Sequence, residues 1–236
     1  TAAIYSKEDR FAIHRFKTDE SYLVGEGKGP IQAYLDIDSI IKIAKDAKVD
    51  AIHPGYGFLS ESPELAEKCE NNGITFIGPS KEILKRFGNK TEAKKVAHEA
   101  NVKTVPSALV SEDNIKSIQK DVEKIGYPVI VKASWGGGGR GMRVVHSSKD
   151  LSDQIATAQS ESQKAFGKDE VFIEKFLEDA AHIEVQILGD KNGNIIHLYE
   201  RDCSLQRRHQ KIIERAPAHF LKEETRKNIC NAAIKI

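Results

Sequence analysis

The sequence of 236 residues contains few cysteines and carries almost no net charge. Its three cysteines, Cys69, Cys203 and Cys230, include no C-x-x-C pair, so a disulfide framework and a zinc site are both disfavoured. Reduced thiols in an intracellular protein are the better interpretation. Lys plus Arg number 36 against 35 Asp plus Glu, and this balance leaves no basic field that would predict a nucleic-acid partner.

Long apolar runs, internal repeats and low-complexity segments are also missing from the sequence. No stretch reaches the length of a membrane span, and the first residues lack the charged and apolar regions of a signal peptide. We therefore predict no membrane association. The content of 39% hydrophobic and 30% charged residues is typical of a globular protein with a real core and more than one folding unit.

The first third of the chain alternates strand and helix patterns. Residues 2–5, 49–52 and 75–77 are predicted strands, whereas residues 37–47 have the apolar spacing of an amphipathic helix. The Ser62–Pro63 pair is typical of a helix start. This order indicates an α/β fold with parallel strands.

A glycine-rich connection joins two further predicted strands, residues 128–132 and 142–146. Its backbone can touch a ligand and turn several N–H groups toward one anion. Lys132 lies in the apolar incoming strand, where an unpaired ammonium is costly to bury, so we expect it to face an anion or a pocket mouth. The pattern predicts a glycine lid over phosphate, with a flexible linker as the alternative. The connection consists of Gly136, Gly137, Gly138, Gly139, Arg140 and Gly141.

The spacing satisfies G-x-G-x-x-G, but its context differs from the commoner forms of that motif. In a dinucleotide fold the glycines open a helix, whereas strand-forming residues 143–145 follow here. A P-loop continues with Lys and then Ser or Thr, but Gly141 precedes Met142. A kinase hairpin carries its lysine on the strand after the loop, and Lys132 lies on the strand before it.

A second dense cluster, ERDCSLQRRHQK, spans residues 200–211. If it is extended, Arg207, His209 and Lys211 share one face and can meet one polyanion. Nucleic acid is disfavoured because no aromatic residue interleaves the cluster to stack on bases. Cys203 with His209 lacks the further ligands of a metal site and the orienting group of a thiol nucleophile.

Three further positions are candidates, each with an unremarkable alternative. Residues 54–60, PGYGFLS, follow a predicted strand at the edge where α/β sheets bind ligands, although a bare turn is the alternative. Glu174 interrupts an apolar strand between two lobes, where an adenine could lie, but it could be a surface carboxylate. Lys90 begins a helix, and a lysine there is usually solvated.

These motifs resemble the biotin carboxylase component of biotin-dependent carboxylases, in the ATP-grasp superfamily. The segments HPGYGFLSE, YPVIVKASWGGGGRGMRVV, EKFLEDAAHIEVQILGD and ERDCSLQRRHQK occur in the family's order and spacing, and the resemblance runs from end to end. TAAIYSKED and HRFKTDESYLVG are more similar to the pyruvate carboxylase group than to the acetyl-CoA or propionyl-CoA enzymes.

The resemblance implies an α/β ATP-grasp fold of several lobes. We expect an N-terminal Rossmann-like parallel-sheet lobe at residues 1–79 and linker helices at 80–106. The small lobe with the glycine lid follows at 107–176, and an antiparallel-sheet lobe begins at 177–236.

The resemblance also implies an ATP site. Lys90 and Lys132 contact the phosphates under the glycine lid, whereas Lys94 and Lys95, as solvated neighbours of Lys90, contribute far less. The expected nucleotide-binding residues are Lys90, Lys132, Gly136, Gly137, Gly138, Gly139, Arg140, Gly141, Glu174, Lys175, Leu177, His182, Gln206 and His209. Of these, Glu174, Lys175 and Leu177 hold the adenine and ribose region.

Catalysis and biotin binding are assigned by the same resemblance. Lys211 faces the reacting phosphate and bicarbonate, together with His209 as the second catalytic residue. Tyr56 and Gly57 border the biotin pocket, and Cys203 has no chemical role.

Two departures from the family are local. Trp135 stands where a small residue is usual, and Glu178-Asp179-Ala180-Ala181 replaces a Pro-Arg or Pro-Lys turn before His182.

Family members also begin with one more strand and helix. They continue past Ile236 into strands with two magnesium-binding glutamates, a bicarbonate-deprotonating glutamate and an arginine that steadies the biotin enolate. We therefore expect a fragment that holds no metal ligand and does not turn over alone.

The implied reaction is ATP- and bicarbonate-dependent carboxylation of biotin through carboxyphosphate, with Mg²⁺ as metal cofactor. The implied partners are a biotin carboxyl carrier domain and a carboxyltransferase domain, in a homo-oligomer located in the cytoplasm or the mitochondrial matrix. The alternatives are an acetyl-CoA or propionyl-CoA carboxylase subunit, another ATP-grasp ligase that joins a carboxylate to an amine, and a non-catalytic ATP-binding piece.

Overall fold

A computed structural model describes residues 1–111, 117–135, 142–208 and 210–236. The chain divides into two compact units, Thr1–Gly88 and Asn89–Ile236. In the described ranges, no helix combines the length and the apolar character needed to cross a membrane.

The first unit alternates short strands and helices, as predicted. Strand β1 pairs parallel with β2, and β3 pairs parallel with β4. The parallel pairing expected for this part of the chain is therefore confirmed. In chain order the elements are β1 (Ala2–Tyr5), a 3-10 helix (Ile13–Phe16), β2 (Glu20–Leu23), α1 (Pro30–Tyr34), α2 (Ile37–Asp46), β3 (Ala51–Ile52), α3 (Pro63–Asn71), β4 (Thr75–Phe76) and α4 (Lys81–Gly88).

Local capping explains where two of these helices begin. The Ser62 hydroxyl accepts from the Leu65 N–H at 3.2 Å, and Pro63 takes the first helical position, where a missing N–H does no harm. Asp36 caps α2 through the Ser39 N–H at 3.3 Å. The apolar faces of these helices pack with the strands in a core that includes Val24, Ala33, Ile40, Ile41, Ala44, Leu65, Cys69 and Ile74.

The second unit contains two antiparallel sheets. The first has the strand order β5-β8-β6-β7, and the second has the order β11-β10-β9. The elements are α5 (Lys90–Glu99), β5 (Ser107–Leu109), α6 (Ile118–Ile125), β6 (Val129–Ala133), β7 (Arg143–Val145), α7 (Ser148–Phe166), β8 (Val171–Lys175), β9 (Ile183–Gly189), β10 (Ile195–Arg207), β11 (Gln210–Arg215) and α8 (Glu223–Lys235).

The first sheet has one apolar face and one face that carries charge. Successive side chains of a strand point to opposite faces, so the paired residues of neighbouring strands share a face. Val129 and Val131 of β6 and Ile173 of β8 are fully buried against α6 and α7. Lys132 pairs with Phe172, and Glu174 lies two residues further along β8, so all three point to the opposite face. The alternation therefore places Lys132 and Glu174 together.

The second sheet is held by local turns and by an ion pair between its strands. An Asn192-Gly193 hairpin turn joins β9 to β10. Asp190 accepts from the Asn192 and Asn194 N–H groups at 2.8 and 2.9 Å, and Gly193 has a φ of +84°. Buried Asp202 of β10 lies opposite Arg215 of β11, whose Nη2 is 2.5 Å from Oδ2. Hydrogen bonds from Ser204, followed by that from Arg215, lower the pKa of Asp202 from 3.8 to about 2.

Asp202 should therefore stabilise the fold at neutral pH and lose this effect in acid. Because its folded pKa is depressed, its contribution is complete above its unfolded pKa of about 4 and disappears as the pH falls toward about 2. We expect Asp202→Asn to lower the Tm at pH 7, and the Tm gap to the parent to narrow below about pH 4. The measurement is Tm against pH, with exposed Asp153→Asn as the control. A gap that stays constant with pH would contradict the assignment.

Candidate nucleotide site

A buried carboxylate with two lysine partners lies on the charged face of the first sheet of the second unit. The Nζ of Lys132 is 2.5 Å from Oε2 of Glu174. Oε1 of the same carboxylate is 2.5 Å from the Nζ of Lys94, which comes from α5. Glu174 is only 8% exposed, so the alternative that it is a surface carboxylate is wrong.

The charges of this group leave one positive charge in excess. Burial by itself raises the pKa of Glu174, but hydrogen bonds from Lys132 and Lys94 outweigh burial and hold the pKa below its ordinary value. The ionised carboxylate therefore balances one of the two ammonium groups. A partly buried site with an unbalanced positive charge favours an anionic ligand.

The expectation that Lys94 is solvated is wrong. Its side chain is 20% exposed, and its Nζ also donates to the Val105 carbonyl at 3.1 Å. The next residue, Lys95, is solvated as predicted, with a side chain 58% exposed. Consecutive helical residues point in different directions, and the inward direction of Lys94 was not apparent among so many charged neighbours.

A second network surrounds the residues just before the glycine segment. Glu170 accepts from Trp135 Nε1 at 2.9 Å and from Asn89 Nδ2 at 3.4 Å. The oxygen of Asn89 caps α5, and the N–H of Lys90, the first residue of that helix, donates to the Ser134 carbonyl at 3.0 Å. The start of α5 and the start of the glycine connection are therefore tied to the same carboxylate. Glu170 and Asn89 were not singled out in the sequence.

Some predicted residues lie outside the described ranges. They are Gly136, Gly137, Gly138, Gly139, Arg140, Gly141 and His209. The strands at either end of the glycine connection pair antiparallel, with Val131 opposite Arg143, as a strand-loop-strand arrangement requires. The glycine lid itself stays a prediction.

Lys175 and Leu177 follow Glu174 closely in the chain. The ammonium of Lys175 donates to the carbonyls of Gly126 and Tyr127 at 3.0 and 2.9 Å, so its charge anchors the turn before β6. Leu177 lies two residues beyond β8 and is exposed. An adenine ring at these two positions would therefore meet backbone groups and the apolar side chain of Leu177, and not the charge of Lys175.

The second sheet gathers three more predicted residues. His182 Nδ1 lies 2.9 Å from Gln206 Nε2, and its Nε2 is 3.8 Å from Glu184 Oε2. The ammonium of Lys211 contacts the same Glu184 carboxylate. His182, just before β9, and Lys211 of β11 therefore both approach Glu184, which the sequence did not single out.

Opposite charges hold Lys211 and Arg201 around Glu184. Burial raises the pKa of Glu184, but the hydrogen bond from Lys211 and the charge of Arg201 outweigh it, so the net pKa is lowered. The hydrogen bond that Lys211 donates to Glu184 in turn raises the pKa of Lys211. Buried Cys203 has its thiol pKa raised mainly by burial, which fits the expectation of no chemical role. Glu184, Cys203 and Glu214 approach one another within 4.8 Å, but Arg201 and Lys211 already bind these carboxylates.

The predicted biotin residues belong to the first unit. Tyr56 and Gly57 follow β3, and Gly57 adopts a φ of +73°. Tyr56 is 97% exposed. Phe58, which also has a positive φ, places its ring 5.6 Å from that of Tyr34 on α1 and so anchors the loop.

The Glu170 network allows a direct test of stability. Glu170→Ala removes the acceptor of Trp135 and of Asn89, and we expect a loss of about 1–3 kcal/mol in the free energy of unfolding. Chemical denaturation followed by circular dichroism measures it. Exposed Glu178→Ala serves as the control, and equal stability of the two variants would contradict this role.

Comparison with known proteins agrees with this arrangement. The family model of the biotin carboxylase N-terminal domain matches residues 1–84, and that of the carbamoyl-phosphate synthase L chain ATP-binding domain matches residues 89–236. Pyruvate carboxylase of Bacillus subtilis (strain 168) is 53% identical over the whole chain. The chain covers 21% of that protein and so spans about a fifth of the length of the curated relatives it matches.

Two solved structures are closely similar. The biotin carboxylase of Campylobacter jejuni, described as a β-γ-ATP complex, is 44% identical with a TM-score of 0.92, over 99% of this chain and 52% of that one. The biotin carboxylase domain of Hydrogenobacter thermophilus 2-oxoglutarate carboxylase, in complex with MgADP, ADP and bicarbonate, is 42% identical with a TM-score of 0.90, over 100% and 51%. The fold is thus the α/β ATP-grasp fold predicted above. Within the chain, a biotin carboxylase N-terminal domain precedes the ATP-binding domain, which is the domain order of a biotin carboxylase. The chain belongs to the family of the carbamoyl-phosphate synthase L chain ATP-binding domain.

Proposed function

We propose that this chain supplies the nucleotide-binding part of a biotin carboxylase and acts in the first half-reaction of a pyruvate carboxylase. The observation that carries the proposal is the cationic group formed by Lys132, Lys94 and Glu174. Its Lys132 belongs to the strand that precedes the glycine-rich connection in the sequence. The similarity to the Campylobacter and Hydrogenobacter structures, which hold nucleotides, supports the same assignment.

In the proposed reaction, a bicarbonate oxygen attacks the γ-phosphorus of ATP and the bond to the bridging oxygen of ADP breaks. The resulting carboxyphosphate releases CO2 and phosphate. The proton of the biotin ureido N–H passes to this phosphate, and the nitrogen then forms a bond to the carbon of CO2. The chain's task is to neutralise charge around the transferred phosphoryl group, for which ammonium groups such as Lys90 and Lys132 are suited. Mg²⁺ would add to this neutralisation when bound.

We assign Lys211 and His209 to the reacting phosphate and bicarbonate, and His182 and Gln206 to the nucleotide. The contact between His182 and Gln206 and the anchoring of Lys211 by Glu184 support a common site for these side chains. Glu174, Lys175 and Leu177 are assigned to the adenine and ribose, and the segment Gly136–Gly141 to the lid. Tyr56 and Gly57 are assigned to the biotin pocket.

The intact protein is proposed to be longer and to work with further domains. Since the chain covers about a fifth of its curated relatives, which are pyruvate carboxylases, we propose a biotin carboxyl carrier domain and a carboxyltransferase domain as partners in a homo-oligomer. An intracellular location, cytoplasmic or in the mitochondrial matrix, is supported by the three free cysteines.

Nucleotide binding can be measured with the single tryptophan. Trp135 lies immediately before the lid, so titration of MgATP should give a saturable change in its emission. Lys132→Met removes one charged hydrogen bond, worth about 1.5–3 kcal/mol, and should weaken ATP binding roughly 10- to 150-fold. Exposed Lys95→Met is the matched control. An unchanged Kd in Lys132→Met would contradict the phosphate role.

The reaction is tested in the full-length protein. We expect ATP cleavage to require bicarbonate and to be stimulated by biotin, and we expect Lys211→Met to lower kcat at least roughly 100-fold while the ATP affinity stays within a few-fold. Phosphate release is the measurement. Cleavage stimulated by an amine acceptor and not by biotin would support a different ATP-grasp ligase.

A further inference from the structure

Glu174 is placed so that each of its two carboxylate oxygens meets a different lysine. Lys132 approaches Oε2 from the neighbouring strand β6, and Lys94 approaches Oε1 from helix α5, both at 2.5 Å. The two contacts do not compete, because they use separate oxygens.

Lys94 is fixed in this direction by its own surroundings. Its Nζ donates to the Val105 carbonyl at 3.1 Å and lies 5.8 Å from the centre of the Phe172 ring. The neighbouring Lys95 instead pairs with Glu92 at the surface, at 2.5 Å. The position of Lys94 therefore follows from packing on α5 and the sheet and not from a general excess of charge.

The single ammonium group of Lys132 has two alternative partners. In the structure it contacts Glu174, whereas the proposed reaction requires it to reach a phosphate of the nucleotide. A buried carboxylate that loses its cationic partner is strongly destabilised, so Glu174 would oppose the departure of Lys132 if it had no other partner. The contact with Lys94 removes this obstacle because it persists when Lys132 moves.

We propose that Lys94 is a positioning residue that holds Glu174 in place and thereby frees Lys132 to bind a phosphate of a nucleoside triphosphate. The inference rests on the function proposed above. It adds a residue that does not itself touch the nucleotide phosphate. In the nucleotide complex the Lys94–Glu174 pair remains and the Lys132–Glu174 contact is exchanged for a phosphate contact.

The test combines four variants of the full chain: Lys94→Met, Lys94→Arg, Glu174→Gln and the double variant Lys94→Met/Glu174→Gln. We expect Lys94→Met to weaken MgATP binding about tenfold and Lys94→Arg to keep the Kd within about threefold, because arginine retains the charge. In the Glu174→Gln background, Lys94→Met should change the Kd by less than about threefold, since no carboxylate is left to hold.

A second readout needs no nucleotide. The carboxyl carbon shift of Glu174, followed by NMR against pH, reports its ionisation, which Lys132 from β6 and Lys94 from α5 both favour. We expect the titration midpoint of the Glu174 carboxyl group to move to higher pH in Lys94→Met and to stay near the parent value in Lys94→Arg. Circular dichroism confirms that each variant is folded.

The outcomes separate the two proposals. An unchanged midpoint in Lys94→Met overturns the positioning role, and so does a shifted midpoint with unchanged ATP affinity. If Lys94→Met weakens MgATP binding equally in the parent and Glu174→Gln backgrounds, the positioning role is overturned as well, because Lys94 would then act independently of Glu174. If the parent chain shows the expected midpoint but binds no MgATP, the proposed function fails, and the nucleotide role of Lys94 fails with it.

Discussion

The charged site of the second unit depends on one buried carboxylate. Glu174 can stay ionised at 8% exposure only because two ammonium groups compensate for the loss of water. That requirement binds a helix and two strands together: Lys94 comes from α5, Lys132 from β6, and Glu174 from β8 between β5 and β6. The opposite face of the same sheet is apolar and covered by α6 and α7, so the site stands on a rigid support.

A second carboxylate, Glu170, links the ends of two segments that the proposed function uses. It accepts hydrogen bonds from Trp135, which precedes the glycine connection, and from Asn89 at the start of α5. Binding residues need a rigid scaffold on either side to position them. The unusual Trp135 thus has a structural explanation, because its indole N–H donates to Glu170 and its ring lies under the Lys168 ammonium at 3.5 Å.

The second sheet repeats the same principle with Glu184 as the shared carboxylate. Lys211, Arg201 and His182 surround it, and the antiparallel register of β9, β10 and β11 brings them together. In both sheets an acidic residue positions the cations that the proposed reaction needs. The similarity to biotin carboxylases supports the proposed chemistry, and these acidic residues show how the chain orients its basic groups.

The sequence by itself determined the local features of this protein. Helix caps such as Ser62 and the strands around the glycine connection depend on neighbouring residues, and both were predicted. The motifs also sufficed to indicate the family. Only the tertiary structure decided which charged residues meet, because Lys132 and Glu174 are 42 positions apart and Asn89 and Glu170 are 81 apart. Periodicity gives the face of an element but not its partner, so the inward turn of Lys94 and the central place of Glu184 emerged only when the strands and helices packed.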